Sequence, residues 1–318
     1  MDATDYAIYR HLSRDGLIRF WASRRVVDPR VSSREIAAHV GVSEAGVRLR
    51  LRHLRGQGLL RGTEVSLNPS LFGASIVVGE IPVRSPKDSE QLFRDLAIVD
   101  GMVFARDLLD EEDRSVHAYF ISDSPGSTAR RASLLRRLAP AGAMSEPRPY
   151  WIPACSRPPS PLDWRLLAAF RHRPEGTLAE FADDAHVSLK TAATRFGQLL
   201  DAHACWWSHG NATQEWPLAL LRVSLGVSAD PAALTGELAR WNEPWMPVAP
   251  DGLGSVPEVP SPVLAGLVPV ERPAALEAIV RRVLSLEGVE NVRRTFGLSS
   301  ASYPQWVDEQ LAKHVGRS

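Results

Sequence analysis

A gapless internal repeat constrains this chain more than any other feature. The segment VSSREIAAHVGVSEAGVRLRLRHLRGQG, beginning at Val31, aligns on GTLAEFADDAHVSLKTAATRFGQLLDAH, beginning at Gly176, an offset of 145 residues (176 − 31). Identities fall at Glu35/Glu180, Ala37/Ala182, Val42/Val187, Ser43/Ser188, Arg50/Arg195 and Leu54/Leu199, and apolar character is kept at Ile36/Phe181 and Leu51/Phe196. These are the positions a two-helix unit must keep, so the chain reads as two copies of one supersecondary plan. Six prolines between Glu146 and Trp164 mark an extended linker between the halves, because proline fixes φ and removes a backbone donor. The second half begins near Ser160, where Ser-Pro-x-Asp supplies an N-cap and an N1 proline.

After each helix pair the hydrophobic period changes from 3.6 to 2. In the first half, Ala74 to Val83 and Ser115 to Ile121 read as strands, and KDSEQLFRDLAI and the Ser/Thr-capped STARRASLLRRLA as amphipathic helices. In the second half the series is Leu218 to Val227, the helix PAALTGELARW, a short strand near Trp245, Val263 to Val270, the helix PAALEAIVRRVLSL and the strand ENVRRTFGL. Both follow the β-α-β-β-α-β order of a ferredoxin-like domain. The predicted fold class is α+β: two tandem units, each a winged helix-turn-helix followed by a ferredoxin-like βαββαβ domain. The expected boundaries are 1–66 and 155–216 for the helix-turn-helix segments, and 67–154 and 217–318 for the two ferredoxin-like domains, the last with a C-terminal helix PQWVDEQLAKHV.

In the first copy Ser33 is placed to cap a helix over Arg34 to Val40, Gly41 to make the turn, and Ser43 to cap a second helix to about Gln57. Val47, Leu51 and Leu54 recur at core spacing, which leaves Glu44, Ala45, Arg48, Arg52 and Arg55 outside. An exposed helix with three arginines can read guanine edges bidentately and hold phosphates. Ser43, Glu44, Ala45, Arg48 and Arg52 are the candidate base-reading positions, Arg48 foremost; Ser33, Arg34, Arg50, Arg55 and Arg61 are the candidate phosphate contacts, with intramolecular salt bridges as the alternative for the four arginines. Double-stranded DNA is the partner this implies. The bland reading of the same pattern is a solvated face on a helical hairpin. Charge separates the copies: Met1 to Gly73 carries 12 Arg against 7 Asp+Glu (+5), whereas Ser160 to Trp216 carries 5 Lys+Arg against 7 Asp+Glu (−2). The second copy, with Ser188, Lys190 and Arg195, is expected to be the weaker reader.

The run from Ser33 to Gly73 resembles the Lrp/AsnC family of transcription regulators. The resemblance rests on Gly41-Val42-Ser43, Arg50, Gly58-Leu59-Leu60-Arg61-Gly62 and Asn68-Pro69-Ser70-Leu71-Phe72-Gly73, with Leu286-Glu287-Gly288-Val289 similar to the family's penultimate turn. It implies a regulator whose sensor domains pair through their sheets and bind a small-molecule effector, an amino acid or a related compound, between them. Family members usually have one such unit and dimerise, so two fused units imply an internal pseudo-dimer or a homo-oligomer, and an imperfectly palindromic site. The chain departs from the pattern by about 14 extra residues around Phe20 to Val31 and by lacking Gly-x-x-Asp-Tyr in the sensor segments.

The sequence contains no phosphate-cradling Gly loop, HExxH, GxSxG or paired cysteine ligands. No cofactor and no catalytic residue are assigned, and with two cysteines neither a disulfide framework nor a zinc site is expected. The cluster His203 to His209 is read as packing at the wing in preference to a soft-metal site. One branch similar to Lrp/AsnC regulators consists of sirohaem decarboxylases, which use the sensor cavity for a tetrapyrrole. That alternative assigns Arg106, Arg114 and His117, the same three residues that would line an effector cavity. A third reading, a protein-docking module, fits the arginine face less well than a polyanion does. The N-terminus has no apolar leader and no apolar run approaches a membrane span, so no membrane partner and a cytoplasmic location are expected.

Overall fold

The structure, a computed structural model, describes residues 4–5, 7–8, 32–57, 60–110, 113–140, 142–150, 152, 154–211, 218–226, 229–230, 233–234, 237, 263–269 and 273–316. The first half contains α1 (Ser33–Val40), α2 (Glu44–Gly56), β1 (Leu60–Leu67), β2 (Ser75–Pro82), α3 (Pro86–Leu96), β3 (Met102–Leu109), β4 (Arg114–Ser122), α4 (Pro125–Leu138) and β5 (Arg148–Tyr150). The second contains α5 (Pro161–His172), α6 (Leu178–Asp184), α7 (Leu189–Asp201), β6 (Cys205–Asn211), β7 (Leu218–Leu225), β8 (Val263–Pro269), α8 (Pro273–Leu284), β9 (Val289–Ser302) and α9 (Gln305–Val315). The expected strand near Trp245, most of the helix PAALTGELARW and the insertion around residues 20–31 lie outside the described residues.

Packing regroups the halves. One compact unit comprises Met1–Gly73, Pro153–Ala212 and Val307–Ser318; the other comprises Ala74–Ile152 and Thr213–Trp306. Both helix-turn-helix segments therefore share the first unit, and both ferredoxin-like segments share the second.

In the first unit, α1 is capped by Ser32, whose hydroxyl accepts from the Glu35 N–H at 3.1 Å. Ser33, the residue expected to cap it, is instead the first helical residue, because adjacent serines offer the same chemistry and the extended backbone falls at Ser32. Gly41 makes the turn at φ 74°, and Ser43 caps α2 by accepting from the Gly46 N–H at 3.1 Å. In the second copy the turn position equivalent to Gly41 is His186, which adopts the same left-handed conformation at φ 55°. A Cβ built at Gly41 meets nothing within 4 Å, so only the backbone conformation opposes a side chain there. Gly41→Ala is expected to lower the unfolding free energy by about 1 kcal/mol in urea denaturation. His186→Gly should change it little, since relief of strain is offset by the larger entropy of the unfolded chain.

The two copies join through their wings. β1 pairs antiparallel with β6, from Leu60↔Asn211 to Leu67↔Cys205. Each copy contributes one strand to a shared two-stranded ribbon. Asn68, 1 % exposed, seals the junction: its N–H donates to the Ala204 carbonyl at 2.9 Å, its Nδ2 donates to the His203 carbonyl at 2.7 Å, and its Oδ1 accepts from the Ser70 N–H at 3.0 Å. This gives the Asn-Pro-x-x-x-Gly turn a physical reason, with Gly73 in the left-handed region at φ 69°. Trp164, Phe72 and His314 form one cluster of rings, with centroids 5.6 Å (Trp164–Phe72), 4.3 Å (Trp164–His314) and 5.8 Å (Phe72–His314) apart.

The second unit is one seven-stranded antiparallel sheet in the order β5-β2-β4-β3-β9-β7-β8. Its first four strands have the ferredoxin-like arrangement, and among the described residues β9-β7-β8 repeats the order of three of them. The seam is β3 against β9, from Phe104↔Ser302 to Leu109↔Phe296. Val77, Ile81, Val116, Ala118 and Phe120 bury one sheet face against Leu92 and Leu96 of α3 and Leu135 of α4. Ala219, Leu221 and Val223 bury theirs against Leu276, Val280 and Val283 of α8. Two local expectations change. α4 is capped by Ser124 with Pro125 in its first turn, not by the later Ser/Thr pair, and the Pro-rich segment begins with β5, where an edge position tolerates Pro149.

Candidate nucleic-acid interface

The faces of α2 follow from its spacing. Val47 and Leu54 are fully buried, Leu51 is half-buried, and Ala45, Arg48, Leu49, Arg52, His53 and Arg55 are exposed. Arg48 pairs with Glu44 one turn earlier at 3.2 Å, and Arg55 with Glu175 of the second copy at 3.4 Å. Both pairs are solvent-exposed, so they hold the guanidinium groups only weakly. Ser43 is spent on its own cap, and Glu44 on the first turn and Arg48. Arg34 is exposed at the start of α1, whereas Ser33 is half-buried. The Arg61 side chain lies outside the described residues.

Arg50 stands apart from the other arginines. Its Nη1 donates to Asp5 Oδ1 at 2.7 Å, and the Asp5 side chain is only 8 % exposed. The matching Arg195 of α7 lies 3.7 Å from Asp163, which is fully buried at the start of α5. The arginine common to the two copies thus ties each reading helix to an acidic residue of the preceding helical segment. No phosphate is needed to account for it.

The equivalent face of α7 is poorer in charge. At the positions of Ala45, Arg48, Leu49, Arg52 and Arg55 stand Lys190, Ala193, Thr194, Gly197 and Leu200, and Leu200 is buried. Ser188 caps α7, accepting from the Thr191 N–H at 3.1 Å. Arg173 pairs with Glu180 at 3.5 Å, so the cation preceding α6 faces acids of its own copy. One exposed cation, Lys190, stands where α2 presents three.

The second unit holds a separate polar cluster on the sheet face opposite its helices. Register places His117 beside Glu80 on one side and Arg106 on the other. His117 Nε2 lies 3.5 Å from Glu80 Oε1, Arg148 also pairs with Glu80, and Arg106 lies over the Phe104 ring 5.3 Å from its centroid. Burial raises the pKa of the Tyr150 phenol, and the charge of Arg106 opposes that shift. Arg114 does not join this cluster. Strand alternation turns it to the other face, where it grips buried Asp107 through two hydrogen bonds of 3.0 and 2.5 Å. Glu80, Arg148 and Tyr150 were missed from sequence; the β2–β4 and β2–β5 registers bring them in, and local periodicity carries no trace of those pairings. Among the described residues no helix is long and apolar enough to cross a membrane.

No curated protein sequence matches the chain. Among solved structures, the siroheme decarboxylase NirDL is 10% identical over 99% of this chain and 99% of that chain, with a TM-score of 0.46. An AsnC family transcriptional regulator from Agrobacterium tumefaciens is 14% identical over 46% of this chain and 86% of its own, at 0.30. The leucine response regulatory protein LrpA of Mycobacterium tuberculosis is 21% identical over 44% and 86%, at 0.29. Residues 1–55 match the family model of the AsnC-type helix-turn-helix domain, so the helix-turn-helix built by α1 and α2 is of AsnC type.

Proposed function

We propose that the protein is a sequence-specific DNA-binding transcription regulator of Lrp/AsnC type, reading duplex DNA mainly through α2. The observation that carries this is the exposed arginine face of Arg48, Arg52 and Arg55 on a capped helix whose opposite face is buried. The AsnC-type match over the same residues supports it. Base reading falls to Ala45, Arg48 and Arg52, and phosphate contact to Arg34, Arg55 and Arg61. With Lys190 as its one exposed cation, α7 serves as a weak second head, so the preferred site is asymmetric. Any small-molecule effector acts through the sheet of the second unit.

One observation favours a second reading, a tetrapyrrole-modifying enzyme of the sirohaem decarboxylase type. Arg106 and His117 share a sheet face, and Arg106 Nε and Arg148 Nε are buried without hydrogen-bond partners. The experiment that separates the readings is selection of genome fragments by the full chain, with a salt titration and an absorption spectrum of the same sample. The regulator enriches one defined asymmetric duplex, and log K falls linearly with log salt by about 0.9 per phosphate neutralised. No enrichment, together with a tetrapyrrole band on titration with an iron tetrapyrrole, would overturn it.

A further inference from the structure

The α2 face that carries the arginines also carries an exposed apolar strip. Leu49 is 62 % exposed, and among the described residues only Ile98 is a more exposed large hydrophobic residue. It stands one helical turn after exposed Ala45, between Arg48 and Arg52 in sequence, and on the same side of the helix. An isolated surface leucine needs no explanation. A leucine in line with an alanine, flanked by cations and opposite the buried Val47 and Leu54, is different, because any polyanion the arginines hold must cover it. The second copy has Lys190 and Thr194 at these two positions, and its own exposed leucine, Leu189, stands instead where the first copy has Glu44, without the flanking arginines.

The major groove offers one apolar group among its donors and acceptors, the C5 methyl of thymine. We infer that Leu49, supported by Ala45, is a specificity-determining residue that packs on a thymine methyl next to the base pairs read by Arg48 and Arg52. This rests on the proposed reading of duplex DNA and names what that same site selects. Arginine supplies attraction to any duplex and preference for guanine; the apolar strip adds a preference for thymine at one or two adjacent steps, because burying the leucine against a polar base edge leaves that edge's hydrogen-bonding groups unpaired.

Deoxyuridine tests this directly, since it keeps thymine's pairing and lacks only the methyl. Each thymine of the selected duplex is replaced in turn by deoxyuridine, and binding of the full chain is measured by fluorescence anisotropy. Loss of one buried methyl predicts about a fourfold weakening at one or two positions and none elsewhere. In Leu49→Ala, which removes mostly exposed surface and keeps a good helix former, that sensitivity should disappear while the salt dependence is unchanged. Specific binding that is indifferent to deoxyuridine at every position, with Leu49→Ala as tight as the parent, overturns the inference and leaves the regulator reading standing. A chain that selects no duplex at all overturns both.

Discussion

Replacing Arg48, Arg52 and Arg55 together by alanine is expected to weaken binding to the selected duplex about a hundredfold or more while leaving the fold intact. A base-reading arginine is worth about 1 to 3 kcal/mol, and each lost phosphate contact flattens the salt slope by about one. The two base readers, Arg48 and Arg52, sum to about 4 kcal/mol at the middle of that range, more than two decades of affinity, and the lost phosphate contact of Arg55 adds to it. The stability side of the ledger is small. Arg48 and Arg55 have side chains 61 % and 46 % exposed, and their partners Glu44 and Glu175 are comparably open, so each pair contributes about 0.5 kcal/mol or less. Alanine also has the higher helix propensity. Anisotropy titrations at several salt concentrations, with far-UV circular dichroism on the same samples, separate the two effects. Unchanged affinity in a folded triple variant would remove α2 from the interface.

How much of this was legible in the sequence depends on whether the deciding partner is near in the chain. The Gly41 turn, the Ser43 cap and the burial of Val47 and Leu54 are local, and periodicity shows them. So is the loss of exposed arginines from the second copy, once the repeat is aligned. β9 is the contrary case. Its pattern predicts a strand ending near Leu298, yet it runs to Ser302 because β3, almost two hundred residues earlier, satisfies the backbone of Ser299 to Ser302. The same pairing merges two ferredoxin-like segments into one sheet, just as β1 with β6 merges the two helix-turn-helix segments. Cross-repeat ladders leave no mark on either copy's hydrophobic period. Arg114 shows the limit at the scale of a site: it is close to His117 in sequence but on the other face of the strand, committed to Asp107.

Arg50 shows that limit most clearly, and it leads to a stability prediction for the second copy. Its position on the reading helix allows a phosphate or a salt bridge, and what decides is Asp5, forty-five residues away and nearly buried. The recurrence of the pair as Arg195 with Asp163 argues that the identity persists for the fold. Asp163 is fully buried, and its Oδ2 accepts from the Ser160 N–H and hydroxyl, each at 2.9 Å, and from Arg157 at 3.2 Å. Asp163→Ala should therefore cost about 3 kcal/mol in urea unfolding: about 1 for the capping box, and the remainder for a broken buried pair, whose usual cost is about 3 to 5. The total stays at the low end because the Arg157 and Arg195 side chains are 33 % and 36 % exposed and can turn to water. Asp163→Asn keeps an acceptor for Ser160 and should lose less. If the pair acts as a unit, Arg195→Ala added to Asp163→Ala costs less than it does alone, a coupling that a double-mutant cycle reads. Arg50→Ala should likewise lower stability while leaving the salt slope of DNA binding unchanged. Full stability with a slope shallower by about one would return Arg50 to the phosphate contacts.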